Sequence, residues 1–159
     1  MKMIFKQIAI GLVLVSGACT SWAEASAPYG ISVTQLINKT NETNDTTYLS
    51  ISLKRCAAML NLVNGILLRD TGEARFPEAT EKFLAVAAGM DGVKAQERGA
   101  NSSRGDIISR VSEEYTRHRE QYLQWMTSNY DEYGDYWGSD PVMAGELDSC
   151  KMLLGAIGK

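Results

Sequence analysis

The sequence predicts an all-α protein: a small antiparallel bundle of about four helices, tied by one disulfide and preceded by a cleaved signal peptide. Three observations predict it. Along four separate stretches the apolar residues recur at steps of three and four, the period of a helix with one inner face. The first of these stretches never alternates apolar with polar residues, so it does not read as a strand. Two cysteines, Cys56 and Cys150, fall on the inner stripes of the first and last stretches.

The chain begins as an export signal does. Lys2 and Lys6 supply positive charge, Ile8 to Val15 form an apolar run broken by Gly11, and small residues follow. Ser21-Trp22-Ala23 or Ala23-Glu24-Ala25 puts small side chains at the −3 and −1 positions of a signal-peptidase site, so cleavage is expected after Ala23 or Ala25. The apolar run, at roughly eight residues, is far short of the ~20 a stable transmembrane anchor needs, and no later stretch reads as a span of the mature chain. Cys19 follows Ser16-Gly17-Ala18 without the aliphatic residue usual three places before a lipidated cysteine, which favours its loss with the leader.

With residues 1–23 removed, Lys+Arg falls from 16 to 14 against 19 Asp+Glu, a net charge of −5. A nucleic-acid partner is therefore not expected: the densest basic group, Arg117-His118-Arg119, sits among Glu113, Glu114 and Glu120. Outside the cytoplasm the two remaining cysteines are expected to pair. Closing the loop of about 95 residues between Cys56 and Cys150 would stabilise the fold by about 4 to 5 kcal/mol on the chain-entropy model.

Residues 24–45 read as a flexible N-terminal segment and 46–159 as the bundle domain. Over 26–45 the residues are polar and punctuated by Pro28 and Gly30, and only Ile31, Val33, Leu36 and Ile37 could pack, so at most a short helical turn is expected. The first helix is expected over about 46–69, with Asp45 as N-cap, Leu49, Leu53, Cys56, Leu60, Val63 and Leu67 inward, and Gly72 near its exit. The second is expected to start at Pro77, a residue suited to a first helical position, and to face Ala79, Phe83, Val86, Ala87, Met90 and Val93 inward; Gly89 and Gly92 weaken its second half. After a loop at 99–105 the third runs from Asp106, as N-cap, to near Tyr133, with Ile108, Val111, Tyr115, His118, Tyr122, Trp125 and Asn129 on one stripe. Asp140-Pro141 opens the fourth, which buries Met143, Leu147, Cys150, Leu154 and Ile157. If the four alternate up and down, the first and last are antiparallel neighbours and their cysteines meet.

Candidate chemistry is sparse. His118, the one histidine, lacks the Cys-x-x-Cys-His or Glu-x-x-His context of a haem or di-metal site and reads as a histidine hydrogen-bonded between Tyr115 and Tyr122. No Gly-x-Ser-x-Gly elbow occurs, and no catalytic residue, metal or cofactor is assigned. The stretch from Tyr130 to Asp140 is unusual in holding three Tyr and one Trp beside four acids and two Gly. Rigid rings give contact area and carboxylates select a cationic partner. Tyr130, Tyr133, Asp135, Tyr136 and Trp137 are thus the candidate partner-binding residues, although the same rings could simply cap the bundle end. The expectation is an exported, periplasmic or secreted, non-catalytic protein that binds or inhibits another periplasmic protein or peptide. The rival expectation is a small-ligand or cofactor bundle around His118.

Overall fold

The structure, a computed structural model, describes residues 29–158. The leader, its cleavage site and Cys19 lie outside the described residues. Within them the chain is helical without strands: α1 (Val33–Thr43), α2 (Thr46–Thr71), α3 (Ala79–Glu97), α4 (Arg104–Tyr133) and α5 (Pro141–Ile157).

Helix α2 is the hub, packing against each of the other four. Its inner stripe lies where the spacing predicts, yet every residue from Ser52 to Leu60 is buried, so it has no solvent face over that run. A helix surrounded by neighbours can carry apolar residues on every face, and here Ser52, Lys54 and Arg55 are the polar exceptions within the run. For the same reason α2 is long and apolar enough by composition to cross a membrane, with a mean hydropathy of 1.3 over its best window, which corrects the expectation that no stretch after the leader qualifies. Most of that window, 61%, is buried inside the bundle. Asp45 caps it as expected, accepting the Thr47 N–H at 2.9 Å, and Gly72 ends it in the left-handed conformation, φ 76°.

Side-chain contacts fix the directions of the neighbours. On α3, Thr80 donates to the Ala57 carbonyl while Asp91 meets Ser50 and Lys54, so α3 runs antiparallel to α2. Glu114 and Arg119 of α4 meet Lys54 and Asn61, and Tyr136 just beyond its end meets Arg69, so α4 runs parallel to α2. The turn over 134–140 reverses the chain into α5. Cys56 and Cys150 are fully buried and joined, S–S 2.08 Å with Cα atoms 5.1 Å apart, which ties α5 to the hub.

The flexible-segment reading of 24–45 is corrected where the chain is described. An 11-residue helix stands where at most a turn was expected, which makes five helices rather than four. Ser32 and Gln35 form a reciprocal capping box, and Val33 and Leu36 are buried. The decisive contact is distant: the Glu146 carboxylate of α5 accepts the Val33 N–H at 2.7 Å, placing a buried negative charge at the N-terminus of α1. Local composition cannot reveal a cap supplied from 113 residues away.

Two helix starts also shift. Helix α3 begins after Glu78, which makes no side-chain cap, and it continues through Gly89 and Gly92 to Glu97. Helix α4 is capped by Ser103, with Asp106 as the third residue of a capping box rather than the N-cap. The expected α4 stripe is buried at Val111, Tyr122, Trp125 and Asn129 and fails only at its start, where Ile108 is half exposed, as is Val93 on α3.

Candidate functional site

At the C-terminal end of α4, the turn into α5 is built by its own aromatic residues. The Tyr136 ring stacks on Tyr130 at 4.5 Å between centroids, with Trp137 6.0 Å further on and half-buried against the core. Arg69 at the end of α2 donates to the Tyr136 hydroxyl at 3.2 Å. Asp135 closes the turn by accepting the Trp137 N–H at 3.1 Å and the Ser139 hydroxyl at 3.3 Å. The Trp137 N–H first, then the Gly138 and Ser139 contacts, holds its carboxyl below the usual carboxylate range. Of the candidate partner-binding residues, Tyr130, Tyr136 and Trp137 are thus brought together, Asp135 is engaged within the turn, and Tyr133 stands beside them, half exposed. Asp131 and Glu132 are the exposed acids of the segment.

This aromatic group continues along α4. Leu123 lies seven residues before Tyr130, two helical turns along the same face, and is 45% exposed. Beside it Leu68 of α2 is 55% exposed, and the two share a groove of about 840 Å³ with Ile66, Leu84 and Arg69. Large apolar side chains grouped in this way are unusual at a surface that nothing covers.

His118 sits near the middle of α4. It does not bond between Tyr115 and Tyr122 as expected, because the Tyr122 hydroxyl is taken by other partners. Instead its ring lies 5.4 Å from that of Tyr29, whose hydroxyl donates to the His118 carbonyl at 3.2 Å. Its Nδ1 is buried with no hydrogen-bond partner among the described residues. Burial first, then the positive charge of Arg55, lowers its pKa to about 4.

Two charged groups absent from the sequence expectations flank His118. On one side Arg55 and Glu146 form an ion pair at 2.6 Å, with side chains 1% and 0% exposed. Arg55 also donates to the Ile31 carbonyl at 2.7 Å and to the Tyr122 hydroxyl at 3.2 Å, and its guanidinium lies 3.8 Å from the centre of the Tyr29 ring. Tyr122 in turn donates to Glu146 at 2.6 Å. Every Arg55 nitrogen and both Glu146 oxygens therefore have partners, as a buried ion pair requires. Burial raises both phenols, Tyr29 and Tyr122, well above their ordinary range, so they remain donors.

On the other side Lys54, 3% exposed, is held by Asp91 at 3.1 Å and by Glu114. This trio forms one wall of a cleft of about 510 Å³ between α2, α3 and α4, which His118 also lines. Among the described residues no three His, Cys, Asp or Glu side chains come together as a metal-binding set. No protein-family profile, curated protein or solved structure matches this chain.

The charged groups escaped the sequence reading because charge suggests solvent. One signal was present: Glu146 lies between Met143 and Cys150 at helical spacing, on the same inner stripe.

Proposed function

We propose that this is an exported, non-catalytic binding protein that engages a segment of another exported protein through the face formed by Leu68, Leu123, Tyr130 and Tyr133. The observation that carries the reading is four exposed apolar side chains at this end of the bundle, one of which, Tyr130, is already stacked on Tyr136. Rigid rings lose little entropy on binding, and an open groove alongside suits an amphipathic segment. Asp131 and Glu132 at the edge favour a partner carrying Lys or Arg next to its apolar anchors. Export is supported by the leader-like residues 1–23 and by the buried disulfide, since the cytosol keeps thiols reduced.

Exposed Leu123 and Tyr130 are the side chains to remove, because both stand on α4, whereas Tyr136 and Trp137 lie within the turn itself. Selection from a displayed library of peptides taken from exported proteins should enrich segments with two or more apolar anchors and a neighbouring cation. Leu123→Ala with Tyr130→Ala should weaken those peptides by about tenfold or more, the usual cost of truncating central anchors, while helicity stays constant. A library that yields no enriched class, or peptides that bind the double variant equally, would end this reading.

A further inference from the structure

The cleft at the opposite end of the bundle has a different chemistry. It lies where the first turn of α2 (Thr47), the end of α3 (Lys94 in its last turn, Arg98 just past it) and the early turns of α4 (Arg110) meet. Five cations line it, Lys54, Lys94, Arg98, Arg110 and Arg117, against two carboxylates, Asp91 and Glu114, an excess of three positive charges in a chain whose formal net charge is −3. Both carboxylates are occupied by Lys54, and Lys94 is neutralised by Asp45 at 3.0 Å. Arg98, Arg110 and Arg117 have no ion pair among the described residues, whereas Arg55 and Arg69 each hold a carboxylate. Arg110 and Arg117 are seven apart and so share one face of α4.

Three guanidiniums outside any ion pair, all lining one cleft, form a fork-like donor set suited to oxyanions. Lys54 is fixed by its two acids, and Ile51 and Ala95 add apolar lining. The volume falls in the range of small-molecule sites and leaves little room for a chain segment. The geometry points to a binding site for a small organic anion carrying two or more negative charges on carboxylate or phosphate oxygens, held by Arg98, Arg110 and Arg117. His118, which also lines the cleft, is neutral at ordinary pH and adds no charge to it. None of the residues of the aromatic face takes part.

Inorganic pyrophosphate and citrate, titrated separately into the purified chain at low salt, probe the two oxyanion chemistries. Saturable heat is expected with at least one, and the one that binds identifies the source of the oxygens; affinity should fall as salt is raised. Because His118 is the only histidine of the chain, its ring resonances should shift during the titration. The Arg110→Ala, Arg117→Ala double variant alters exposed side chains and should keep its helicity. It should bind about tenfold or more weakly, as loss of charge-assisted hydrogen bonds implies, while Leu123→Ala with Tyr130→Ala should bind as the parent does. Failure of both anions to saturate, unchanged affinity in the arginine variant, or an equal loss in the Leu123/Tyr130 variant would overturn the assignment.

Discussion

Lys54 and Arg55 are consecutive residues of α2 and point to different sides of it. Both are almost completely buried, and both are held by carboxylates. Arg55 sits in a closed network: Glu146, the Tyr122 hydroxyl, the Ile31 carbonyl and the Tyr29 ring surround it, and Glu146 spends its other oxygen on the start of α1. Lys54 sits in an open one, since Asp91 and Glu114 are 14% and 28% exposed and border the basic cleft. Taking a charge out of water is costly in either case. The closed network offsets that cost by joining four segments of the chain. The open one leaves its carboxylates partly hydrated and able to respond to whatever enters the cleft.

The largest effect expected from this contrast comes on the closed side. Arg55→Met leaves Glu146 buried without a counter-charge and should cost about 3 to 5 kcal/mol in urea unfolding. The same substitution releases Ile31 and Tyr29, so amide exchange should rise in α1 before it rises in α2. Changing both partners, Arg55→Met with Glu146→Leu, removes the stranded charge and should recover much of the loss, though α1 keeps no distant cap. A single variant as stable as the parent would show that the network is not closed.

His118 lies on the seam between the two networks, touching Tyr29 on one side and lining the cleft on the other. Its folded pKa of about 4 is below the ordinary 6.5 of an unfolded histidine. The folded state therefore resists protonation that the unfolded state accepts. Its contribution is complete above about pH 6.5, declines as the pH falls, and is gone near pH 4. At about 1.4 kcal/mol per unit, the span is up to about 3 kcal/mol. Comparing unfolding at neutral pH and near pH 4 for the parent and for His118→Gln isolates this part, since the other titrating groups are common to both. Parallel losses in the two proteins would show that His118 is freely hydrated.

Much of the scaffold was legible in the sequence. The 3–4 repeats located α2 and α5, Asp45 and Asp140 marked their starts, and the stripe positions of Cys56 and Cys150 placed the disulfide. Helix α1 had one local signal, the Ser32-x-x-Gln35 capping box, but the contacts that hold it, the Glu146 cap and the burial of only Val33 and Leu36, are not local. Ser103 and Asp106 are both good caps by residue type, and only the capping box shows that each has a different role. The aromatic turn was visible as composition, but the engagement of Asp135 by its own backbone was not. The basic cleft was invisible for a simpler reason: its cations come from three helices, and in the chain each is diluted by nearby acids.

The smallest effect should fall on the open side and decides whether openness is what separates the two cations. Lys54→Met removes the charge between Asp91 and Glu114, yet each carboxylate keeps an alternative. Asp91 still accepts the Ser50 hydroxyl at 2.6 Å, and Glu114 has Arg110 and Arg117 within a helical turn on either side. Both can also take up water. The expected cost is therefore about 1 to 2 kcal/mol, within the common range for single substitutions and below that of Arg55→Met. Salt should shrink it further, because partly exposed charges are screened and sealed ones are not. If Lys54→Met costs as much as Arg55→Met and shows no dependence on salt, both cations are sealed and the cleft wall is as rigid as the core. If the cost is small and salt-sensitive, Lys54 is a charge that the fold tolerates beside a site rather than one on which the fold is built.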